Sequence, residues 1–482
     1  MNTVCTEESL EFQSHGRQRV VADFRSSRIS SDGGSLLLRE VDTQFGLIEQ
    51  ASECFSDFRD QRFVEHDLVT MLRQRTFGIC LGYEDLNDHD ALQSDSLLAL
   101  ACGRSNLYGT DRSRAADRGK SLASSSTLNR FELAVPAQGE VTPRIDRYHK
   151  MAFDPNAGQH IFTTFFAQRH QRPPKQIILD VDATDDLIHG KQEGRFFHGY
   201  YRNYCYLPLY IFAGDHLLWA ELRTSDQDGS TGTVDALAHI IHTLRDVHGW
   251  TTTQFIVRGD SGFCRDALMT WCEQHSVDYI LGLARNERLV DEMDLFSAES
   301  RRHLTITGES VKRFHAFVYR TQTSWSRSRL VIGKAEALPP NKPGGEIKEN
   351  RRFIVTTLRN AAPDELYNDW YCQRGDMENR IKEQQLCLFA DRTSTAFLWS
   401  NQIRLWFSSI AYCLMQALRN SALKGTKLAK AQCSTIRNRL LKIGAFLRTT
   451  TRRIIVHLSG SHPGEPIFRQ AYAALAIPRQ PG

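Results

Sequence analysis

The chain has 482 residues, of which 41% are hydrophobic and 24% charged, as is ordinary for a soluble globular protein of two or three domains. It contains no apolar run long enough to span a membrane and no secretory signal at its N-terminus, so no membrane association is expected. Eleven cysteines without a CxxC pair argue against a zinc ribbon or disulfide framework and favour a reducing, cytoplasmic location.

The net charge of +4 hides an uneven distribution of charged residues. Residues 393–482 contain 13 lysines and arginines and one acid, which gives +12 (13 − 1), and the rest of the chain carries −8 (47 − 55). A basic end of this kind predicts binding to a polyanion. The solvated face of a helical tail has the same composition and is the structural alternative.

The first 150 residues predict a helical and irregular region. Apolar residues have helical spacing over Ser35–Val41 and His66–Ile79, and helical spacing resumes at Thr127–Leu133. No known DNA-reading module is recognisable there.

The middle of the chain predicts alternating strands and helices. Gln176–Val181 is an apolar run that suits a buried strand, and Tyr206–Ala213 and His216–Arg223 are strand candidates on either side of a Gly-Asp turn. The elements that follow are a helix, a strand, a helix and a strand, at Thr231–His248, Gln254–Val257, Arg265–His275 and Tyr279–Ala284. This order predicts an α/β fold with a mixed sheet of the RNase H-like type, in which the first and fourth strands are neighbours.

A change of pattern after Ala284 predicts an insertion of mostly β character, with β-like stretches at His315–Tyr319 and Arg329–Ile332. From Asp364 the chain becomes helical, and Arg453–Leu458 is a late strand candidate. The predicted organisation is a helical region at 1–150, the first part of the core at 151–286, a β-rich insertion at 287–352, the last core helix at 353–395 and a basic helical region at 396–482.

Acids end two of the predicted central strands. Asp180 and Asp182 close the first strand in LDVDATD, and their spacing of two residues places both side chains on one face. Asp260 follows FIVRG at the end of the fourth strand and opens DSGF. The structural alternative for all three is a capping or turn role, because aspartates are common where strands end.

A third acid, Glu378, lies in the helical segment after Asp364. Arg374, Glu378 and Lys382 are spaced four residues apart, so a continuous helix would align them on one face. An exposed ladder of salt bridges is the structural alternative. Combined with the strand-end aspartates, Glu378 completes a set of carboxylates of the kind that holds two Mg²⁺ ions about 3.5–4 Å apart for phosphodiester cleavage.

Three ordered motifs resemble the insertion-sequence DDE transposases, of the DDE domain group 1 type. They are LDVDATD, VRGDSGF and the Y-x2-R-x3-E pattern at Tyr371, Arg374 and Glu378, which is typical of the branch with a Y-(2)-R-(3)-E-(6)-K signature. The runs GRFFHGYYRNYCYLPLYIF, GGSLLLREVD and GYEDLND are similar to one subgroup of these enzymes. The resemblance therefore extends from Gly33 to the C-terminal helices.

This resemblance implies a retroviral-integrase-like RNase H core and metal-dependent cleavage and strand transfer of DNA. It implies two Mg²⁺ or Mn²⁺ ions as cofactors, activating the attacking oxygen and stabilising the leaving oxygen. The implied ligands are Asp182, Asp260 and Glu378, and Asp180 is a further candidate at the same strand end.

The resemblance also implies DNA contacts near the scissile phosphate. Tyr371 and Arg374 would contact the backbone of the transposon end. Gln385 stands where the signature has lysine, so either Lys382 takes over that phosphate contact or the role is absent. Trp325, in TSWSRSR, is a candidate for base stacking inside the insertion, and a packed anchor is the structural alternative.

The partners implied are double-stranded DNA, as terminal inverted repeats and as target, and a second copy of the chain in a synaptic homodimer. Region 1–150 is then expected to bind DNA ends. Region 396–482 is expected to support DNA binding and dimerisation. Two alternatives remain: an RNase H-like nuclease without transposition, and a catalytically inert DNA-binding protein. His189, His198 and His216 lack metal-ligand spacing and are interpreted as structural or DNA-contacting residues.

Overall fold

The computed structural model describes residues 9–24, 28–137, 148–340 and 345–476. The chain divides into two compact units, the first made of Met1–Gln44, Val64–Asn129 and Ala417–Gly482 and the second of Phe45–Phe63 and Arg130–Gln416. In the described parts of the chain, no helix combines the length and apolarity needed to cross a membrane.

An eight-stranded mixed sheet is the centre of the second unit. Its strands in chain order, labelled β1 to β8, are Gln176–Ala183, Leu209–Ala213, His216–Glu221, Gln254–Gly259, Asp278–Leu283, Lys312–Tyr319, Arg329–Leu338 and Lys348–Thr356. The spatial order is β3-β2-β1-β4-β5-β8-β7-β6. β4 is parallel to β1 and β5, and the remaining pairs are antiparallel. The first and fourth strands are therefore neighbours, as predicted.

Each face of the sheet carries its own core, because successive side chains along a strand point to opposite faces. Leu179 and Val181 of β1 belong to the larger core, which includes Leu237 and Ile240 of the helix Thr233–His242. Burying both faces requires apolar residues at consecutive positions, which is the pattern of β1, β4 and β5.

The opposite face of the sheet packs against the helical segment that carries Glu378. Ile256 and Ile280 are buried there with Leu366 and Tyr367, and Ile178 packs against the same cluster. This segment changes pitch along its length: Pro363–Glu365 is α-helical, Leu366–Tyr371 is a π-helical turn, Cys372–Arg374 is a 3₁₀ turn and Gly375–Leu388 is α-helical. Asp180 and Asp182 alternate with Leu179 and Val181, so they lie on this second face.

The region predicted as a β-rich insertion is partly helical and continuous with the main sheet. Two helices, Glu287–Asp291 and Asp294–Thr307, precede its strands. β8 pairs with β5 from Leu283↔Phe353 to Ile280↔Thr356, so the three late strands extend the central sheet. Ten residues of β7 and nine of β8 form this extension together with β6.

The first unit contains helices and two β hairpins. One hairpin pairs Ser9–His15 with Gln18–Asp23, and the other pairs Ala445–Thr449 with Ile454–Leu458, which agrees with the predicted late strand. Ile29–Ser30 adds to the second hairpin. Helical elements that begin in this unit are Ser35–Phe45, Leu68–Leu81, Asp88–Leu92, Ser96–Ala101, Ala115–Asp117, Ser125–Glu132, Cys433–Ile436, Arg437–Leu441 and Glu465–Leu475.

The remaining elements of the second unit surround the main sheet or form small sheets. Short strands at Phe55–Asp57, Val135–Pro136 and Met151–Phe153 make one small sheet, and Asp186–Leu187, Phe196–His198 and Asn203–Tyr206 make another. Helical elements that begin in this unit are Leu47–Ser52, Gln61–Phe63, Pro155–Gln168, Thr233–His242, Thr243–Val247, Ser261–Phe263, Asp266–Gln274 and Leu398–Ala422, besides those given above. The ten cysteines in the described part of the chain are all free thiols.

Candidate active site

The ends of β1 and β4 bring two aspartates to one edge of the sheet. Asp180 is opposite Arg258 and Val181 is opposite Gly259, so Asp260 follows at the position beside Asp182. Neighbouring strands lie about 4.8 Å apart. Both strands run in the same direction, and they therefore deliver their last acids to the same place.

Asp260 is oriented by the turn that it opens. Its Oδ1 accepts a hydrogen bond of 2.7 Å from the backbone N–H of Gly262, which caps the short 3₁₀ turn Ser261–Phe263. Asp182 accepts a 2.9 Å hydrogen bond from the N–H of Ala183. Each carboxylate thus keeps an oxygen that these backbone bonds do not use.

Arg374 joins the third acid to the first. Its Nη1 lies 3.4 Å from Oδ2 of Asp182, and its Nη2 donates to Oε1 of Glu378 at 2.9 Å. The predicted spacing of Arg374 and Glu378 on one helical face is therefore present, but the arginine also reaches a strand of the sheet. Asp182, Asp260 and Glu378 are separated by 78 and 118 residues in the chain, and folding brings Asp182 and Glu378 to one guanidinium.

The charges at this edge affect one another. Burial raises the pKa of Asp182 to about 7, with the negative charges of Asp260 and Glu378 adding to the rise and Arg374 opposing it. Burial alone would lower the pKa of Arg374, but Asp182, Asp260 and Glu378 outweigh burial and raise it. The acidic side chains at this site therefore outnumber the arginine that pairs with them, and a bound cation would stabilise this arrangement.

Asp180, the other acid of the first motif, is fully engaged with the neighbouring strand. Nε of Arg258 donates to Oδ1 of Asp180 at 2.5 Å and Nη2 donates to Oδ2 at 2.8 Å, and both side chains are buried. Nη1 of Arg258 donates to the carbonyl of Trp370 at 2.5 Å. Burial raises the pKa of Asp180, and the charge of Arg258 opposes that rise.

Tyr371 occupies the space above Gly282 of β5. A Cβ placed on Gly282 would lie 2.5 Å from the Tyr371 hydroxyl oxygen and 2.9 Å from the backbone nitrogen of Ser261. The absence of a side chain at residue 282 therefore lets the aromatic ring approach the turn that follows Asp260. The π-helical turn ends at Tyr371, and such turns often occur at functional sites.

The donor set at this edge is chemically suited to Mg²⁺ or Mn²⁺, because carboxylate oxygens are the ligands that these ions prefer. Burial of mutually repelling acids is a second feature that a bound cation would stabilise. In the described structure, Arg374 pairs with both Asp182 and Glu378, and no three His, Cys, Asp or Glu side chains are grouped as a metal site.

The remaining predicted site residues lie in different surroundings. Lys382 is exposed on the helix Gly375–Leu388, and Gln385 donates to Oδ1 of the buried Asp186 at 2.9 Å. Trp325 is only 4% exposed and packs in the main core against Tyr319, with ring centroids 5.8 Å apart. Trp325 is thus not grouped with the carboxylates.

Sequence reasoning did not identify the partnership of Arg258 with Asp180 or that of Gln385 with Asp186. The sequence does contain a signal for Arg258. It is a charged residue in an apolar strand, and because it lies two positions before Asp260, the side chains of both residues point to the same face of the sheet. The signal for Gln385 is weak, since a helical glutamine is ordinarily solvated. Of the three histidines, His216 packs against Phe166 with ring centroids 5.1 Å apart, which agrees with a structural role.

A family model described as transposase DDE domain group 1 matches residues 12–480, which is nearly the whole chain. No curated protein matches it significantly.

Proposed function

The chain belongs to the transposase DDE domain group 1 family, and from this premise we propose that it cuts DNA at the ends of an insertion sequence and joins those ends to target DNA. The observation that carries the proposal is the shared guanidinium of Arg374, which contacts Asp182 of the sheet and Glu378 of the helix. Asp260 ends the strand next to Asp182. Two of the three acids thus contact one guanidinium, and the third follows the neighbouring strand.

We assign this core to the RNase H-like type, with Asp182, Asp260 and Glu378 as the metal ligands and two Mg²⁺ or Mn²⁺ ions as cofactors. The strand order β3-β2-β1-β4-β5 supports the fold assignment. In this order, β4 is parallel to β1 and β5 is parallel to β4. Bound divalent ions supply an activated attacking oxygen and charge neutralisation at the leaving oxygen. We assign Asp180 a supporting role, because both of its oxygens already accept hydrogen bonds from Arg258.

The positions of the other motif residues indicate how the chain would hold its substrate. Arg374 is suited to bidentate contact with a backbone phosphate, and Tyr371 lies beside the turn after Asp260, where its hydroxyl can donate to a phosphate oxygen. Lys382, exposed on the same helix as Glu378, is the proposed replacement for the lysine of the family signature. Trp325 is a packed anchor under this proposal.

We further propose that the substrates are double-stranded terminal repeats and target DNA, and that two copies of the chain hold two ends together. The basic C-terminal segment supports DNA binding, because Lys424, Lys427 and Lys430 are exposed, as are Arg452 and Arg453 near the tip of the hairpin of that unit. Neutralising phosphates with such residues makes binding depend steeply on salt concentration.

A donor-plasmid assay with a marked element tests this function. A transposase excises the element and inserts it into a target plasmid when Mg²⁺ is present. Efficient cleavage without joining would favour an RNase H-like nuclease, and salt-sensitive DNA binding without any cleavage would favour an inert DNA-binding protein. Inverted repeats in the DNA that flanks the gene define the ends to be used.

A further inference from the structure

The connection between β1 and β2 is a small three-stranded sheet in place of a tight turn. It leaves the main sheet after Ala183, directly following Asp182, and returns at Leu209, which is the cross-strand partner of Ala183. Residues 186–206, called here the aromatic hairpin, contain the strand pairs of this small sheet. The aromatic hairpin is therefore attached to the main sheet at the edge that carries the carboxylates.

Several aromatic side chains of the aromatic hairpin are exposed. Phe197 is 57% exposed, Tyr200 at the turn is 84% exposed and Tyr204 is 43% exposed. Phe197 and Tyr204 are cross-strand partners with ring centroids 5.5 Å apart. Single exposed apolar residues are normal on protein surfaces, but several neighbouring rings mark a surface that binds a partner.

Basic side chains accompany these rings. The guanidinium of Arg195 lies 3.8 Å from the ring centroid of Tyr204, and Lys191 and Arg202 are exposed. The aromatic hairpin contains two acids: Asp186 is buried and accepts a hydrogen bond from Gln385, and the carboxylate of Glu193 accepts one from the backbone N–H of Leu398. Exposed rings interleaved with cations fit a partner that is both flat and anionic, which describes unpaired nucleotides.

Tyr201 of the aromatic hairpin is half-buried and packs beside the exposed tip. Burial raises the pKa of the Tyr201 hydroxyl, and the negative charges of Asp185 and Asp182 add to this rise. Tyr201 contacts Tyr200, with ring centroids 5.0 Å apart. The Tyr201 ring therefore supports the exposed Tyr200 at the tip.

We propose that the aromatic hairpin binds unpaired nucleotides next to the scissile phosphate, with Phe197, Tyr200 and Tyr204 stacking on bases and Arg195 contacting the backbone. This inference rests on the proposed function, because it takes the carboxylates as the place of cleavage. A second copy of the chain would also cover exposed rings, but the cations beside the rings favour a nucleic acid.

The test uses a short duplex of mixed sequence that ends in a single strand of three nucleotides, one of which is 2-aminopurine. Binding is measured in Ca²⁺ by anisotropy, and base stacking by quenching of the 2-aminopurine fluorescence. Replacing Tyr200 or Tyr204 by alanine should weaken binding about five-fold or more and remove much of the quenching. Tyr200→Phe should retain both, because stacking needs the ring and not the hydroxyl.

Phe58→Ala is the matched control, since Phe58 is 47% exposed in the same unit but lies outside the aromatic hairpin. Normal binding and quenching by folded Tyr200→Ala and Tyr204→Ala proteins would overturn the inference. It would also be overturned if these substitutions changed only the sedimentation of the protein as a dimer and left DNA binding unchanged. The proposed function is judged separately: if the wild type cleaves DNA while these variants behave normally, only the role of the hairpin fails.

Discussion

Arg258 and Asp180 are cross-strand partners on β4 and β1, joined by a buried bidentate ion pair two residues before Asp260 and Asp182. The same guanidinium donates to the carbonyl of Trp370, the residue before Tyr371. One side chain thus connects both aspartate-bearing strands to the helical segment that carries the third acid. We expect this connection to hold the three carboxylates in a common arrangement.

Removing one member of the Arg258–Asp180 pair should destabilise the fold, because it leaves the other charge buried without a partner. We expect Arg258→Met or Asp180→Leu to lower the free energy of unfolding by about 3–5 kcal/mol in urea titrations. The double variant should lose less unfolding free energy than the two single variants lose together, because neither charge then remains buried.

The control for that experiment is Arg265→Met, which removes an ion pair with Asp228 whose side chains are both nearly half exposed. Exposed pairs contribute about 0–1 kcal/mol, so this variant should stay close to the wild type. If the variants of the buried pair lower the unfolding free energy no more than Arg265→Met does, Arg258 does not have the connecting role that we assign to it.

Arg374 should stabilise the protein mainly when metal is absent. Its guanidinium pairs with Asp182 and Glu378 and partly offsets their negative charge, and a divalent cation would take over that task. We expect Arg374→Gln to lower the midpoint of thermal unfolding more in EDTA than in Mg²⁺, and to reduce DNA cleavage strongly. An equal loss of thermal stability in both solutions would contradict this role.

Asp182 should give the metal-free protein a pH response. Its pKa is raised from 3.8 to about 7 in the folded chain, first by burial. A carboxyl with a raised folded-state pKa holds its proton more tightly when folded, so its stabilising contribution is complete below pH 3.8 and is lost as the pH rises through about 7. In EDTA, the unfolding free energy should fall over this range, and Asp182→Asn should flatten the fall. Parallel pH curves for the two proteins would refute the assignment.

Gly282 should not tolerate a side chain. An added Cβ would approach the Tyr371 hydroxyl and the backbone after Asp260 to within 3.1 Å or less. We expect Gly282→Ala to cost about 1–3 kcal/mol of unfolding free energy and to reduce cleavage. Tyr371→Phe should restore part of the stability, because it removes the closest atom. Gly444→Ala, where a Cβ meets nothing within 4 Å, is the control; an equal effect of both alanines would exclude a specific clash.

Elements that depend on a local pattern were predictable from the sequence. The runs QIILDV and QFIVRG are apolar over consecutive positions, as strands buried on both faces must be, and the predicted β1 and β4 agree with the structure to within two residues. The positions of Asp182 and Asp260 at adjacent strand ends followed from the same reasoning. The order of the middle elements is also confirmed.

Features that depend on tertiary contacts were not predictable in this way. β8 begins with KENRR, a polar run without the apolar pattern of a strand, and this run forms a strand through its pairing with β7. The bond between Arg258 and Asp180 requires the register of two strands 78 residues apart. The exposure of the aromatic hairpin likewise depends on which apolar residues the rest of the fold covers.

The most direct test of the account is metal-dependent nicking of DNA that carries the ends of the element. We predict that the wild type nicks this DNA in Mg²⁺ or Mn²⁺ and not in EDTA, and that Asp260→Asn leaves it intact while unfolding at a temperature close to that of the wild type. Asp364→Asn, a substitution of an exposed acid at the start of the helical segment that carries Glu378, should nick normally. Wild-type nicking by a folded Asp260→Asn protein would contradict the claim that these carboxylates hold the catalytic metal.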